Sequence, residues 1–135
     1  MKVLTMKVLF VEDKHDVQVA IDGFMKEYSY DREFAIDFDE FKIKFSSYNP
    51  DIVVVDYDLK NGHFYNEIFS IVNAKSKIDN RIIGLIGVTA VDPFADIKKT
   101  FLKAGFDNAY YNDDTEALVL DLVSEFAKIQ EKINN

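Results

Sequence analysis

In Pro50–Asp56 the chain reads PDIVVVD, and the centre of this stretch is a run of four β-branched residues. Such a run is typical of a short strand that is buried on both faces. Asn49 and Pro50 interrupt the helical pattern that precedes it. A strand that is apolar on both faces predicts a parallel sheet with helices packed against both of its sides.

Strand and helix patterns alternate along the rest of the chain. The other predicted strands are Lys7–Val11, Glu33–Phe38, Arg81–Val88 and Asn108–Tyr111. The predicted helices cover Asp16–Tyr28, the residues from Asp39 to Tyr48, Phe64–Lys75, the residues from Asp92 to Ala104, and the chain from Thr115 onwards. Strands that are connected by helices of this length are parallel, so the predicted fold is an α/β three-layer sandwich around a five-stranded sheet.

Capping residues set the expected helix ends. Asp39 and Asp92 are the predicted N-caps, and Pro93 is expected at the first helical position, where its missing N–H is tolerated. Gly105 is expected to end the fourth helix in the left-handed conformation. These signals fix the predicted start of the second helix and both ends of the fourth.

The composition excludes several classes of protein. The formal net charge is −8, whereas non-specific nucleic-acid binding needs a basic surface. The chain has no cysteine, which excludes disulfides and thiolate metal sites, and its two histidines, His15 and His63, are expected to be separate surface residues. Its longest apolar runs, such as Ile82–Val88, are far shorter than the roughly 20 residues of a membrane span. We therefore expect a cytoplasmic domain that binds neither nucleic acid nor membrane.

Acidic residues stand at the ends of two predicted strands. Glu12 and Asp13 follow the first strand, and Asp56 ends the third. If those strands are neighbours, the three carboxylates converge at the carboxyl edge of the sheet, where ligands bind in α/β proteins. At ~4 Å each pair would repel by about 4 kcal/mol at an effective dielectric constant of about 20. A hard divalent cation removes that repulsion, which predicts an Mg²⁺ site.

Four segments form an ordered set of landmarks along the chain. They are Lys7–Asp13 (KVLFVED), Pro50–Asp56 (PDIVVVD), Gly87–Ala90 (GVTA) and Ala104–Asp107 (AGFD). In order and approximate spacing this set resembles the response-regulator receiver (CheY-like) family, and the resemblance covers the chain from Met6 onwards. It implies a flavodoxin-like parallel sheet of strand order 2-1-3-4-5, in which the first and third strands are adjacent.

The resemblance also implies roles for individual residues. Asp56 would be the phosphoacceptor, because a carboxylate beside Mg²⁺ is a competent nucleophile toward phosphorus. Glu12, Asp13 and the backbone carbonyl of Asp58 would join Asp56 in holding Mg²⁺. Thr89 would be the hydroxyl residue that turns toward the phosphoryl group on activation.

The chain departs from the family pattern in the loop after Asp56, where Lys60 replaces the usual Pro, and at two positions near the fifth strand. The lysine that completes the family's pocket should stand at residue 112, where this chain has Asn112. The aromatic switch residue should stand three positions earlier, where the chain has Ala109. A charge-assisted hydrogen bond contributes roughly 1.5–3 kcal/mol. Shifting a domain between two conformations from a ratio of 1:99 to 99:1 takes roughly 5.5 kcal/mol, so the loss of this one bond removes a large part of that energy. We therefore expect a weakened switch, with Lys14 as a candidate substitute for the missing charge.

These residues support one leading function and three alternatives. The leading hypothesis is a two-component signal receiver that takes a phosphoryl group on Asp56 and is no enzyme beyond self-phosphorylation and dephosphorylation. The second is a receiver-like interaction module that does not use phosphate. A haloacid-dehalogenase-like phosphatase is a weaker match, because its nucleophile strand comes first and Glu12 and Asp13 would be left unexplained. A flavodoxin-like flavin carrier shares the topology, but the acidic loop after the first strand does not suit a phosphate.

The expected organisation is a single receiver domain over residues 1–135, with a core of about residues 6–131 and no output domain in this chain. By the resemblance, the expected partners are a histidine kinase or phosphotransfer protein and a downstream protein target. The face formed by the fourth helix, fifth strand and fifth helix is the expected surface for a homodimer or a target. Its predicted members are Lys98, Phe101, Tyr110 and Asp121.

Overall fold

The computed structural model describes residues 5–135, so residues 1–4 of the predicted domain lie outside the described part. Within the described part, the strands are β1 (Lys7–Val11), β2 (Asp31–Ala35), β3 (Ile52–Asp56), β4 (Gly84–Thr89) and β5 (Asn108–Tyr111). The helices are α1 (His15–Met25), α2 (Phe38–Tyr48), α3 (Tyr65–Ile78), α4 (Phe94–Ala104) and α5 (Thr115–Asn134). Strand and helix alternate throughout, as the sequence predicts.

The five strands form one parallel sheet of order β2-β1-β3-β4-β5. Val11 at the end of β1 pairs with Val55 of β3, and Asp56 at the end of β3 pairs with Val88 of β4. The carboxyl ends of the three central strands therefore reach the same edge of the sheet. The predicted α/β fold and its strand order are confirmed.

Each face of the sheet carries its own hydrophobic core. On one face, Val8, Phe10, Val54 and Ile86 pack against α1 and α5. On the other face, Leu9, Val53, Val55 and Leu85 pack against α2, α3 and α4. Full burial of one such side chain contributes about 1.5–3 kcal/mol relative to exposure, so these two layers hold the helices against the sheet.

The second strand and the second helix begin earlier than predicted. β2 ends at Ala35 rather than at Phe38, and Asp37 rather than Asp39 caps α2. The Asp37 side chain accepts a hydrogen bond from the backbone N–H of Glu40 at 2.8 Å. Glu40 follows Asp37 by the three residues of a capping box, whereas the residue at that spacing from Asp39 is a lysine. The capping-box spacing therefore outweighs the apolar alternation that extended the predicted strand.

The fourth helix begins one residue later than predicted. Pro93, expected at the first helical position, occupies the N-cap position, and α4 starts at Phe94. The carboxylate of Asp92, the predicted N-cap, instead accepts a hydrogen bond from the Tyr111 hydroxyl at 3.3 Å. Asp92 therefore ties the loop before α4 to the end of β5. At the other end Gly105 adopts a φ of 112° and ends α4 in the predicted left-handed conformation.

Other boundaries also differ from the prediction. α1 ends sooner, at Met25, and α3 ends later, at Ile78. β4 starts at Gly84, and Arg81, which was predicted to open it, lies before the strand. The Arg81 guanidinium forms an ion pair with Asp51 at 3.3 Å, and this contact holds the segment to the start of β3.

Between residues 5 and 135, no helix is both long enough and apolar enough to cross a membrane.

Candidate metal centre

β1 and β3 lie side by side and bring three acids together. Val11 pairs with Val55, so Glu12 and Asp13, which follow β1, stand beside Asp56, which ends β3. One carboxylate oxygen from each of these acids lies within 4.8 Å of the other two. The predicted convergence of the three side chains at the carboxyl edge of the sheet is thus present in the structure.

Glu12 is fixed by the elements on both sides of it. Only 7% of its surface is exposed, whereas Asp13 and Asp56 are half-buried. The backbone N–H of Glu12 donates to the carbonyl of Ala35 at the end of β2 at 2.9 Å, and Gln18 Nε2 of α1 donates to the Glu12 carbonyl at 2.5 Å. β2 and α1 therefore hold the residue in place at the floor of the acid cluster.

Burial makes it unfavourable for the cluster to carry three negative charges. Removal from water, followed by the nearby charge of Asp56, raises the pKa of Glu12 from 4.5 to about 9. Burial also raises the pKa of Asp56 to about 6, while its hydrogen bond with Glu12 acts in the opposite direction. Without a cation, burial therefore favours the protonated form of Glu12, whose side chain is hydrogen-bonded to Asp56.

Asp13 gives a second indication of a cation site. Its Oδ1 atom is buried and has no hydrogen-bond partner among the described residues. Leaving a buried polar atom unpaired costs about 1–3 kcal/mol, and more for a charged group. A hard cation would satisfy this oxygen and take the place of the Glu12 proton, and Mg²⁺ binds through one or two carboxylates with waters completing its shell. The donor set present here therefore fits Mg²⁺.

A cleft of about 50 Å³ opens beside the acid cluster. Its lining consists of Glu12, Lys14, Val17, Asp56, Asp58, Val88, Ala90, Val91 and Asn112. The cleft therefore brings Lys14, Asp58 and Asn112, which the sequence singled out, to the same opening as Asp56. Lys14 is exposed, and its backbone N–H donates to Glu12 Oε2 at 3.2 Å. Asn112 is half-buried, and its Oδ1 accepts from the Thr115 hydroxyl at 3.3 Å.

Thr89 ends β4, the strand next to the one that carries Asp56. Its side chain is fully buried, and its Oγ1 accepts a hydrogen bond from the backbone N–H of Val91 at 3.0 Å. The Thr89 carbonyl accepts from the backbone N–H of Asn112 at 2.8 Å. In this arrangement the hydroxyl group is engaged by its own loop and lies outside the lining of the cleft.

Ala109, at the predicted switch position, is fully buried in β5 and pairs with Gly87 of β4. The ring of Phe101 from α4 covers this pair, because a Cβ added to Gly87 would lie 2.5 Å from it. Phe101 is itself fully buried, so its prediction as a member of the α4–β5–α5 surface is wrong. Two small residues on neighbouring strands make the space that this large ring occupies.

The two tyrosines after Ala109 face opposite sides of the sheet, as the alternation of a strand requires. The Tyr110 hydroxyl donates to the buried Glu125 of α5 at 2.6 Å. The ring of Tyr111 packs against Phe94 of α4, with 5.7 Å between the ring centroids. β5 is therefore tied to α5 through one tyrosine and to α4 through the other.

Solved structures share this architecture, although no protein-family model and no curated protein sequence matches the chain. The chemotaxis response regulator CheY4 of Vibrio cholerae is 16% identical, with a TM-score of 0.75 over 90% of this chain and 98% of that chain. The receiver domain of the Francisella response regulator 1452 is 21% identical, with a TM-score of 0.73 over 92% and 98%. The signal receiver domain of a putative Luxo repressor protein from Vibrio parahaemolyticus is 15% identical, with a TM-score of 0.78 over 96% and 95%. The chain has the receiver fold.

Two residues make contacts that the sequence pattern does not predict. His63 is an exposed loop residue, as predicted, and its Nδ1 also lies 3.3 Å from Asp58 Oδ1 beside the cleft. The signal for this contact was the dipeptide at residues 61–62, Asn-Gly, which favours a tight turn that returns the chain. Phe101 was misplaced on the surface, and the signal against that placement was Gly87, because a glycine inside a buried strand marks a close approach.

Proposed function

We propose that this chain is a two-component signal receiver that binds Mg²⁺ and accepts a phosphoryl group on Asp56. The observation that carries the proposal is the meeting of Glu12, Asp13 and Asp56 within 4.8 Å, together with the unpaired buried oxygen of Asp13. The likeness to solved receiver structures supports it. That likeness also favours it over a haloacid-dehalogenase-like phosphatase and over a flavodoxin-like flavin carrier.

In the proposed chemistry the acids have two roles, metal binding and nucleophilic attack. Mg²⁺ held by Glu12, Asp13, Asp56 and the backbone carbonyl of Asp58 would neutralise the charge that the phosphoryl group brings into the cleft. A carboxylate oxygen of Asp56 attacks the phosphorus of a phosphohistidine on a histidine kinase or phosphotransfer protein. The bond from phosphorus to the imidazole nitrogen breaks, and that nitrogen takes up a proton. Hydrolysis of the resulting acyl phosphate restores Asp56, so the activity is limited to self-phosphorylation and dephosphorylation.

The proposed response to phosphate is atypical. Asn112 at the cleft offers a neutral amide where a lysine would offer a charge, and a neutral hydrogen bond has roughly half the strength of a charge-assisted one. Thr89 must release the Val91 N–H before its hydroxyl can reach the phosphoryl group. Ala109 has no ring to rotate. Lys14, at the same cleft, remains the candidate substitute for the missing charge. Phosphorylation would thus proceed while its structural consequences are reduced.

A phosphorylation-independent interaction module is the second candidate function. It is favoured by the buried ring of Phe101, which lies against Gly87, the strand partner of Ala109. A domain that is locked in one arrangement can still bind partners. Its acidic cleft would then be a plain Mg²⁺ site.

The proposed partners follow from the receiver fold. Besides the phosphoryl donor, we expect a downstream protein target, and we expect the α4–β5–α5 face to serve for target binding or a homodimer. Lys98 and Asp121 are the predicted members of that face that stay at least partly exposed on α4 and α5. We also propose a cytoplasmic single domain with no nucleic-acid or membrane partner.

Acetyl phosphate and Mg²⁺ test the proposed phosphoryl transfer, with intact-mass spectrometry as the readout. The wild-type protein should gain the mass of one phosphoryl group, and a chelator should abolish the gain. Asp56→Asn should gain nothing. Asp58→Asn is the matched control, because it keeps the backbone carbonyl and should still be modified. A wild-type protein that gains no mass would overturn the proposed phosphoryl transfer. The phosphorylation-independent interaction module would then be the remaining candidate function.

A further inference from the structure

The loop after Asp56 folds back on itself. Leu59 donates to the Gly62 carbonyl at 3.1 Å, and Gly62 donates to the Leu59 carbonyl at 3.0 Å. Between them Asn61 adopts a φ of 74°, a left-handed conformation that asparagine tolerates. This reversal brings His63 back against the two residues that directly follow Asp56.

His63 contacts both of those residues. Its Nδ1 lies 2.8 Å from the Tyr57 carbonyl oxygen and 3.3 Å from Asp58 Oδ1. A carbonyl oxygen can only accept a hydrogen bond, so Nδ1 carries the hydrogen and donates it. The imidazole also stacks on the Tyr57 ring, with 4.1 Å between the centroids and 30° between the planes.

The backbone at Tyr57 and Asp58 is therefore held from two sides. The Tyr57 N–H donates to the Val88 carbonyl of β4 at 2.8 Å, and its carbonyl accepts from His63. His63 contacts the Tyr57 carbonyl and Asp58 Oδ1, and it leaves the backbone carbonyl of Asp58 free to bind a cation. A backbone ligand on a loop gives strong binding only if the loop is fixed beforehand, because ordering it on binding costs free energy.

We propose that His63 is a positioning residue for the metal centre. Its Nδ1–H fixes the Tyr57–Asp58 segment so that the Asp58 carbonyl is presented to the cation beside Glu12, Asp13 and Asp56. The inference rests on the proposed function, since it presupposes a cation at the acid cluster. His63 itself does not touch the cation.

Three His63 variants separate the hydrogen bond from the ring stack. His63→Ala removes both, His63→Phe keeps a ring without the donor, and His63→Asn keeps an N–H donor in the position of Nδ1 without the ring. His15→Ala is the matched control, because His15 is an exposed histidine near the same acids, at the start of α1. Calorimetric titration with Mg²⁺ gives the affinity, and amide hydrogen exchange of Leu59 and Gly62 in the metal-free protein gives the order of the loop.

His63→Ala and His63→Phe should bind Mg²⁺ about tenfold more weakly, in line with the loss of other groups that orient metal ligands. Their Leu59 and Gly62 amides should exchange faster. His63→Asn should restore most of the Mg²⁺ affinity and most of the protection of these amides. His15→Ala should change neither the affinity nor the exchange. If the wild type binds Mg²⁺ and His63→Ala binds it with the same affinity, this inference alone is overturned. The same holds if His63→Phe, rather than His63→Asn, restores the Mg²⁺ affinity. Absence of Mg²⁺ binding by the wild type overturns the proposed function and this inference with it.

Discussion

Asn112 stands at the cleft beside Asp56, where a lysine would place a positive charge next to the phosphoacceptor. Asn112→Lys should raise the affinity for beryllofluoride in the presence of Mg²⁺ by about tenfold or more, because a charge-assisted hydrogen bond contributes roughly 1.5–3 kcal/mol. Calorimetric titration measures this change. Asn112→Met has similar reach without charge and should give no gain. Equal binding by Asn112→Lys and the wild type would contradict the role assigned to this position.

Glu12 should make the metal-free protein sensitive to pH. Burial raises its pKa in the folded state from 4.5 to about 9, so the folded protein keeps a proton that the unfolded chain releases. The associated stability is fully present below the unfolded pKa and is lost as the pH rises through the folded pKa. We therefore expect the Tm in chelator to fall from about pH 5 to about pH 8, and Glu12→Gln to flatten that fall.

Mg²⁺ provides the matching control for the pH series. Bound cation takes the place of the Glu12 proton, so its affinity should increase with pH. Saturating Mg²⁺ should therefore stabilise the wild type more at about pH 8 than at about pH 5. A wild-type Tm that does not respond to pH in chelator would contradict the buried, protonated state of Glu12.

At the scale of elements, α4 is fixed to the sheet by the ring of Phe101 over Gly87. A methyl group at Gly87 would lie 2.5 Å from that ring, so Gly87→Ala should destabilise the protein by about 1–3 kcal/mol. The loss should shrink in a Phe101→Leu background, because the smaller side chain can move aside. Denaturant unfolding of the two single variants and the double variant measures the coupling, which we expect to exceed about 0.5 kcal/mol.

Gly23 is the control for this cycle. It lies in α1 with no atom within 4 Å of an added Cβ, so Gly23→Ala should stabilise the helix by roughly 0.5–1 kcal/mol and show no coupling to Phe101. Strictly additive costs for Gly87→Ala and Phe101→Leu would show that the ring does not lie where the structure places it.

The elements themselves were largely predictable, because each depends on local patterns. The β-branched run at Ile52–Val55 and the stripe of α5 through Leu122 and Phe126 are buried as the periodicity requires. The errors came where two local signals competed. At Asp37 an N-cap hydrogen bond to Glu40 overrode the alternation that continued to Phe38, and at Asp92 a hydroxyl from β5 engaged the residue that could have capped α4.

The site was predictable only in part, for a physical reason. Glu12, Asp13 and Asp56 follow from strand ends and strand order, which the sequence pattern carries. The contacts of Phe101 and His63 depend on side chains that are remote in the chain or on the exact path of a turn. Gly87 indicates a close packing contact, and the Asn-Gly pair at residues 61–62 indicates a reversal of the chain. Neither signal identifies the side chain that makes the contact.

At the scale of the whole molecule, the carboxyl edge of the sheet carries two regions of different character. The acidic region, at the ends of β1 and β3, holds an Asp13 oxygen with no hydrogen-bond partner among the described residues and a buried Glu12 whose pKa is raised. The other region, at the ends of β4 and β5, has a Thr89 hydroxyl that accepts from its own loop, an amide at Asn112 and a buried Phe101 ring against Gly87, the strand partner of Ala109. Binding of a phosphoryl group should therefore change the structure strongly in the acidic region and only weakly in the other region.

Amide chemical shifts measured with Mg²⁺ and beryllofluoride test this claim most directly, because they report on both regions in one spectrum. In the wild type we predict large shifts near Glu12, Asp13 and Asp56 that require Mg²⁺ and disappear in Asp56→Asn. Shifts along α4 and β5 should be small, and Asn112→Lys should enlarge them. An unchanged spectrum near Asp56 would contradict the phosphoacceptor site, and a wild-type rearrangement of α4 as large as that in Asn112→Lys would contradict the weakened switch.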